Sequence, residues 1–142
     1  MKRLTVAVLL LCSASGVGAA APTGVPRLLE VTDKDADKIR DGCETWFTQG
    51  ETGYLFQAGR DIVIHTGPGA TGLKLCKMTD AQTRDFGSGP TAVSCGGMKI
   101  SIKPYGRATG NAEADSSQSP AVMTLGNGKQ SRPIRGTIGT AC

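Results

Sequence analysis

The chain is poor in the residues that most often carry catalysis. Its 142 residues include one histidine, His65, and only 4% aromatics: three Phe, two Tyr and one Trp. No two cysteines have the Cys-x-x-Cys spacing of a zinc or thiol-redox motif, so neither metal nor cofactor is implied. No serine sits in a G-x-S-x-G elbow, and Ser88 in Gly87-Ser88-Gly89 reads as a turn. Beyond the N-terminus no apolar run approaches the ~20 residues of a membrane-spanning helix. Charge is nearly balanced, with sixteen Lys and Arg against twelve Asp and Glu. That balance implies neither nucleic acid nor an anionic membrane as partner.

What is present begins with an export signal. Lys2 and Arg3 form a positive start, Val6 to Leu11 an apolar stretch, and Gly18-Ala19-Ala20 a small-residue cleavage site. Residues 1–20 are therefore expected to be removed, leaving a single β-rich domain over residues 21–142. Cys12 goes with the signal. Lipidation there is the alternative, but Leu11 is too large for the residue before a lipidated cysteine. The mature chain has about 120 residues, enough for one modest core, and a net charge of about +2.

Four cysteines remain: Cys43, Cys76, Cys95 and Cys142. An even number in an exported chain points to two disulfides, because the periplasm and exterior are oxidising. Three pairings are open. Cys76–Cys95 with Cys43–Cys142 is the favoured one, closing a local loop between two strand-like segments and tying the start of the sheet to the last residue.

Ala21 to Pro26 reads as a flexible lead-in. The best helix signal follows: Thr32 as N-cap, Asp35 completing a capping-box-like arrangement, Lys38 and Arg40 near the negative end, and Gly42 as terminator. It predicts a surface helix over 33–41. The rest alternates with the period of strands. Tyr54 and Phe56 share a face, as do Ile62 and Ile64 opposite Val63, and Leu73 and Leu75 around Lys74. Met98, Ile100 and Ile102 alternate with Lys99, Ser101 and Lys103, the cleanest half-buried strand. Ala121, Met123 and Leu125 run into Gly126-Asn127-Gly128, suited to a type I′ hairpin turn. The return strand carries Ile134 and Ile138, and Pro133 marks it as an edge or its start as a bulge. Thr79 to Phe86 can hold a capped helical turn. Residues 106–120, without large apolar side chains, read as a long exposed loop. Six or seven strands with short turns predict a mainly β fold: a small antiparallel barrel or curled sheet with one short N-terminal helix.

Few motifs carry chemistry. Gly67-Pro68-Gly69-Ala70-Thr71-Gly72 matches G-x-G-x-x-G, but the Leu73-Lys74-Leu75-Cys76 that follows is strand-like, where a dinucleotide site needs a helix. A glycine-rich hairpin loop is the simpler reading. His65 could serve as general base or ligand, yet alone on a strand end it reads as a rim residue. Asp61, Asp80 and Asp85 would have to converge to act as a carboxylate pair; solvated turn acids are simpler. Lys99, Lys103 and Arg107, with Tyr105 beside them, can form a basic patch for an acidic partner or merely keep a strand edge soluble. Trp46-Phe47 is either a binding platform or core near a disulfide.

Around Ile39-Arg40-Asp41-Gly42-Cys43 through Phe47, and at Val93-Ser94-Cys95-Gly96-Gly97, the chain resembles a group of small secreted proteins of Gram-negative bacteria. That resemblance implies location and architecture only. It is similar more weakly, in size, compartment and β-content, to periplasmic C-type lysozyme inhibitors. Their Ser-Gly-x-x-Tyr motif is not reproduced, because Ala92 stands where the tyrosine should follow Ser88-Gly89. The expectation is a periplasmic or secreted, non-enzymatic protein that binds a protein or a cell-envelope component. Alternatives are inhibition of a lysozyme-like or other hydrolase, a structural envelope role, or a small hydrolytic enzyme. Candidate binding residues are Lys99, Lys103, Tyr105, Arg107, Trp46 and His65.

Overall fold

Alternating apolar residues dominate the middle of the chain, and they form strands. A computed structural model describes residues 24–142. The expected signal peptide, Cys12 and the first residues of the lead-in lie outside the described residues. Nine strands follow one another: β1 (Glu44–Gln49), β2 (Thr52–Ala58), β3 (Asp61–His65), β4 (Leu73–Lys77), β5 (Ala92–Cys95), β6 (Met98–Pro104), β7 (Thr109–Asn111), β8 (Ser116–Gly126) and β9 (Ser131–Ala141). They pair antiparallel in one sheet, in the order β4-β3-β2-β1-β9-β8-β6-β5, with β7 added to β8. The two end strands, β4 and β5, approach each other. The sheet is a nearly closed barrel, and the favoured cysteine pairing is the observed one.

Each disulfide has a topological task. Cys76 on β4 joins Cys95 on β5 with a Cα–Cα distance of 5.5 Å, across the seam where no ladder runs. Cys43 joins Cys142 with a Cα–Cα distance of 4.2 Å. It continues the β1–β9 register one step past Glu44↔Ala141. Two disulfides fit an oxidising compartment. Among the described residues no helix is long and apolar enough to cross a membrane.

The barrel interior is filled by one face of each strand. Met98, Ile100 and Ile102 point inward, as their alternation predicts, against Met123, Leu125 and Ala121 of β8. Ile62, Ile64, Leu55, Phe47 and Ile138 complete the wall. One end is closed by Leu28 from the N-terminal segment, which bridges Leu29 to His65 at the end of β3. The opposite end is closed by Met78 and Phe86, flanking the short helix α3 (Asp80–Asp85). There the expected capped turn forms, and Thr79 and Gln82 make it a capping box, with Thr79 N donating to Gln82 Oε1 (2.9 Å) and Gln82 N to Thr79 Oγ1 (3.2 Å).

A second, smaller core lies outside the barrel. Phe56, Ala58 and Val63 are buried there beneath Val31, Ala36 and Ile39, with Trp46 and Leu73 partly buried beside them. Tyr54 does not share this face with Phe56. Phe47 pairs with Leu55 but Thr48 with Gly53, so Tyr54 is the extra residue of a β-bulge and packs against the inner core instead. In β4 the alternation holds but the apolar face is the outer one: Leu73 joins the small core, while Leu75 on the end strand is 54% exposed.

Four local expectations are corrected. The predicted helix over 33–41 is reduced to a single helical turn, α1 (Asp33–Ala36), followed by turns. The Thr32 hydroxyl donates to Asp35 (2.7 Å), and that carboxylate is shared with groups outside the helix. So short a segment does not propagate alone. Residues 106–120 are exposed but not a loop throughout: β7 and the start of β8 form a ribbon by backbone pairing, with Thr109 Oγ1 donating to Gln118 O (3.5 Å), turning at Asp115 with φ +46°. The β8–β9 connection is not a two-residue type I′ turn. Gly126 pairs with Ser131, and Asn127 Oδ1 accepts from Lys129 N (3.0 Å) and Gln130 N (2.8 Å). The side chain thus organises a longer turn in which only Gly128 takes positive φ. Finally, the lead-in is seated on the barrel from Val25 onward: Arg132 Nη2 donates to the carbonyls of Val25 (2.8 Å) and Pro26.

The glycine-rich stretch ends in a further single turn, α2 (Gly69–Gly72), and then enters β4 as expected. Thr66 N donates to Gly72 O (2.8 Å), and a Cβ on Gly72 would lie 1.7 Å from Gly67 O. The glycine is demanded by this backbone closure.

Candidate functional site

Strand register decides which candidate residues meet. On the outer barrel face one rung runs Lys103–Val122–Arg135 across β6, β8 and β9. Tyr105, just past β6, is 45% exposed. Lys103, Tyr105, Val122 and Arg135 line a groove of about 340 Å³. Val122 and Arg135 also line a larger groove of about 730 Å³, completed by Arg27, Arg132, Tyr54 and Ile134 among others. Four cations and two tyrosines thus border two adjoining depressions that share Val122 and Arg135, and among the described residues no carboxylate lines either. Among the described residues, Lys103, Arg135 and Arg27 make no ion pair.

The larger groove exists because β9 outruns β1. The β1–β9 ladder starts at Thr137, whereas β8 pairs with β9 from Ser131. Residues 131–136 therefore lack a strand on the β1 side. Gln49 Nε2 donates to Arg135 O (3.1 Å), so that carbonyl points into the gap. Pro133, two residues earlier, has the same parity. Its missing N–H faces the gap, which explains a proline inside a strand that is otherwise central.

Lys99 and Arg107 are exposed but line neither groove. Trp46 and His65 lie on another part of the barrel. Trp46 sits in the small outer core, its indole over Gly139 on the neighbouring strand. With Phe56, Arg40, Glu30, Asp33 and Glu51 it borders a separate groove of about 520 Å³. There the Arg40 guanidinium covers the Phe56 ring at 5.3 Å and binds both carboxylate oxygens of Glu44 (2.9 and 3.1 Å).

His65 is not a free rim residue: its side chain is only 15% exposed. Its Nε2–H donates to Asp35 Oδ2 (3.1 Å), while Nδ1 is buried with no hydrogen-bond partner among the described residues. The same Asp35 oxygen accepts from the Thr32 hydroxyl (2.7 Å) and backbone N–H (3.0 Å), and Lys38 Nζ stands 3.4 Å from the other oxygen. These bonds, the Thr32 hydroxyl first, outweigh burial and hold the Asp35 carboxyl below its ordinary value, at about 2. Asp35 is thus an ionised hub that ties α1 to the end of β3.

Asp61 and Asp80 do not act together: Asp61 pairs with Lys77 (3.6 Å) and Asp80 with Arg60 (3.3 Å). Ser88 Oγ donates to Asp85 O (2.9 Å), as a turn residue does. Among the described residues no cluster of His, Cys, Asp and Glu could hold a metal ion.

Arg27, Arg132, Arg135 and Tyr54 were not legible as site residues. They are distant in sequence and meet only through the β8–β9 register and the docking of the N-terminal segment. The chain is an antiparallel barrel stapled at its seam, strapped by its own N-terminal segment and grooved by cationic side chains. Comparison with protein families, curated proteins and solved structures finds no match to this chain.

Proposed function

We propose that this is an exported, non-catalytic binding protein that captures an anionic partner of the cell envelope in the groove along β6, β8 and β9. One observation carries the reading: the Lys103–Val122–Arg135 rung joins two depressions bordered by four cations and two tyrosines, with no carboxylate in either lining among the described residues. Three of these cations, Lys103, Arg135 and Arg27, have no ion pair among the described residues and attract an anion without first breaking one. Apolar walls strengthen that attraction by excluding water. Tyrosine and arginine are also the side chains enriched where proteins meet partners. The Asp35–His65 pair supports the reading from the other side. Its solvent-shielded Nδ1 offers no proton acceptor to a substrate, so the pair works as a clasp.

The test is capture from periplasmic and cell-wall extracts on the immobilised, oxidised protein. A saturable partner retained by the native chain and lost with Lys103→Glu/Arg135→Glu is the expected result. Both side chains are exposed, so the fold should survive. Capture indifferent to this double reversal would remove the groove from the function.

A further inference from the structure

The groove does more than attract negative charge, and its shape bears on what fills it. We infer that its occupant is an acidic segment of polypeptide carrying an apolar or aromatic side chain, held by side-chain contacts and not by strand addition. The inference rests on the anionic-partner reading above and names the class of partner.

Three observations lead there. First, two of the cations, Arg27 and Arg135, are exposed arginines without an ion pair among the described residues, whereas Arg132 is engaged with the carbonyls of Val25 and Pro26. A guanidinium presents a planar fork that grips a carboxylate through two parallel bonds, where a lysine offers only a point charge. Second, the walls between them are not polar. Leu28, Ile134, Pro133 and the Tyr54 bulge line the larger groove, and Val122 with Tyr105 the smaller. A diffuse polyanion has no use for that apolar surface, whereas a peptide with mixed side chains fills it. Third, the exposed edge of β9 is a poor template for a pairing strand. Pro133 has no N–H to donate, and the Arg135 carbonyl is already taken by Gln49. A peptide is therefore read by its side chains.

The purified protein, with both disulfides intact, is titrated with four fluorescent probes. One is a synthetic peptide alternating Glu with Leu and Tyr. The second carries the same glutamates spaced by Gly and Ser. The others are polygalacturonate and phosphatidylglycerol vesicles. The expected result is saturable binding of the Glu/Leu/Tyr peptide, weaker by about tenfold or more for the Gly/Ser-spaced one. Arg135→Glu and, separately, Arg27→Glu should each weaken binding by about tenfold or more, and Arg84→Glu, on the exposed face of α3, should not. Equal binding of the two peptides would overturn the apolar component, and with it the polypeptide assignment. Arg135-dependent binding of polygalacturonate or vesicles, with the peptides inert, would overturn the polypeptide while leaving an anionic partner. Peptide binding insensitive to Arg135→Glu would overturn the site. Binding of none of the four would overturn both this inference and the reading it rests on.

Discussion

The indole of Trp46 lies against Gly139, its partner across the β1–β9 ladder, so closely that a Cβ there would stand 2.3 Å from Trp46 Cε2. The only tryptophan therefore has its place by virtue of a residue with no side chain, ninety-three positions away. Gly139→Ala forces either the ring or the strand to move, and neither is the loose end of a flexible side chain. Overpacking of this kind costs about 1–3 kcal/mol. Denaturant titration followed by Trp46 fluorescence should show that loss together with a changed emission maximum. Gly89→Ala, with nothing within 4 Å, should show neither.

The two disulfides should be separable by where their loss is felt. Cys76→Ala/Cys95→Ala removes a closure of 19 residues' separation, worth about 3 kcal/mol in the chain-entropy model. Because no ladder crosses that seam, β4 and β5 should lose amide protection first. Cys43→Ala/Cys142→Ala removes the longer closure, about 4–5 kcal/mol. Yet the β1–β9 ladder beside it should stay protected, since its backbone pairs are intact. Hydrogen exchange on the two double variants checks both statements. Uniform loosening of the sheet in each would contradict them.

Asp35 makes stability depend on acid. Its carboxyl is held down from 3.8 to about 2, so the folded state binds a proton less readily than the unfolded one. The stabilisation is then fully present above about pH 4 and is lost as pH falls through 2. The native chain should exceed Asp35→Asn in unfolding free energy by about 1–3 kcal/mol above about pH 4, the loss expected for hydrogen bonds to a charged group. The difference should shrink between pH 4 and 2. A difference that is flat to pH 2 would mean that the carboxylate is not the hub described.

Where local pattern alone decides, the sequence was readable. Met98–Ile102 buries the face its alternation marks, and the cysteines pair in the favoured one of three arrangements, with Cys76–Cys95 closing a local loop between two strands and Cys43–Cys142 tying the start of the sheet to its last strand. What was not readable depends on register. Tyr54 leaves the face of Phe56 because of one bulge, and no residue type announces it. Pro133 argues for an edge, and it lies in a central strand only because β1 stops short. The basic patch was half legible. Lys103 and Tyr105 were identifiable from their own strand. Arg135 stands beside Lys103 through two ladders, and Arg27 arrives by tertiary docking. Lys99 is on the same strand face but two rungs from the groove, a separation that alternation cannot express.

The strap formed by residues 25–36 gives His65 a role that can be measured without knowing a ligand. Leu29 N donates to His65 O (2.9 Å) and Val31 N to Gly53 O (2.8 Å), so backbone bonds hold the segment at two points. Between α1 and the end of β3 the side-chain bond from His65 Nε2 to Asp35 is the direct link. His65→Ala keeps the backbone bonds and deletes that link. Trypsin should then cut sooner after Lys34, which is exposed beside Asp35, while the barrel core melts within about 1–2 kcal/mol of the native protein. His65→Gln, which can still donate to the carboxylate, should restore much of the resistance. If cleavage at Lys34 were unchanged in His65→Ala, the clasp would not be what holds the strap. The histidine's shielded contact with Asp35 would then need another explanation.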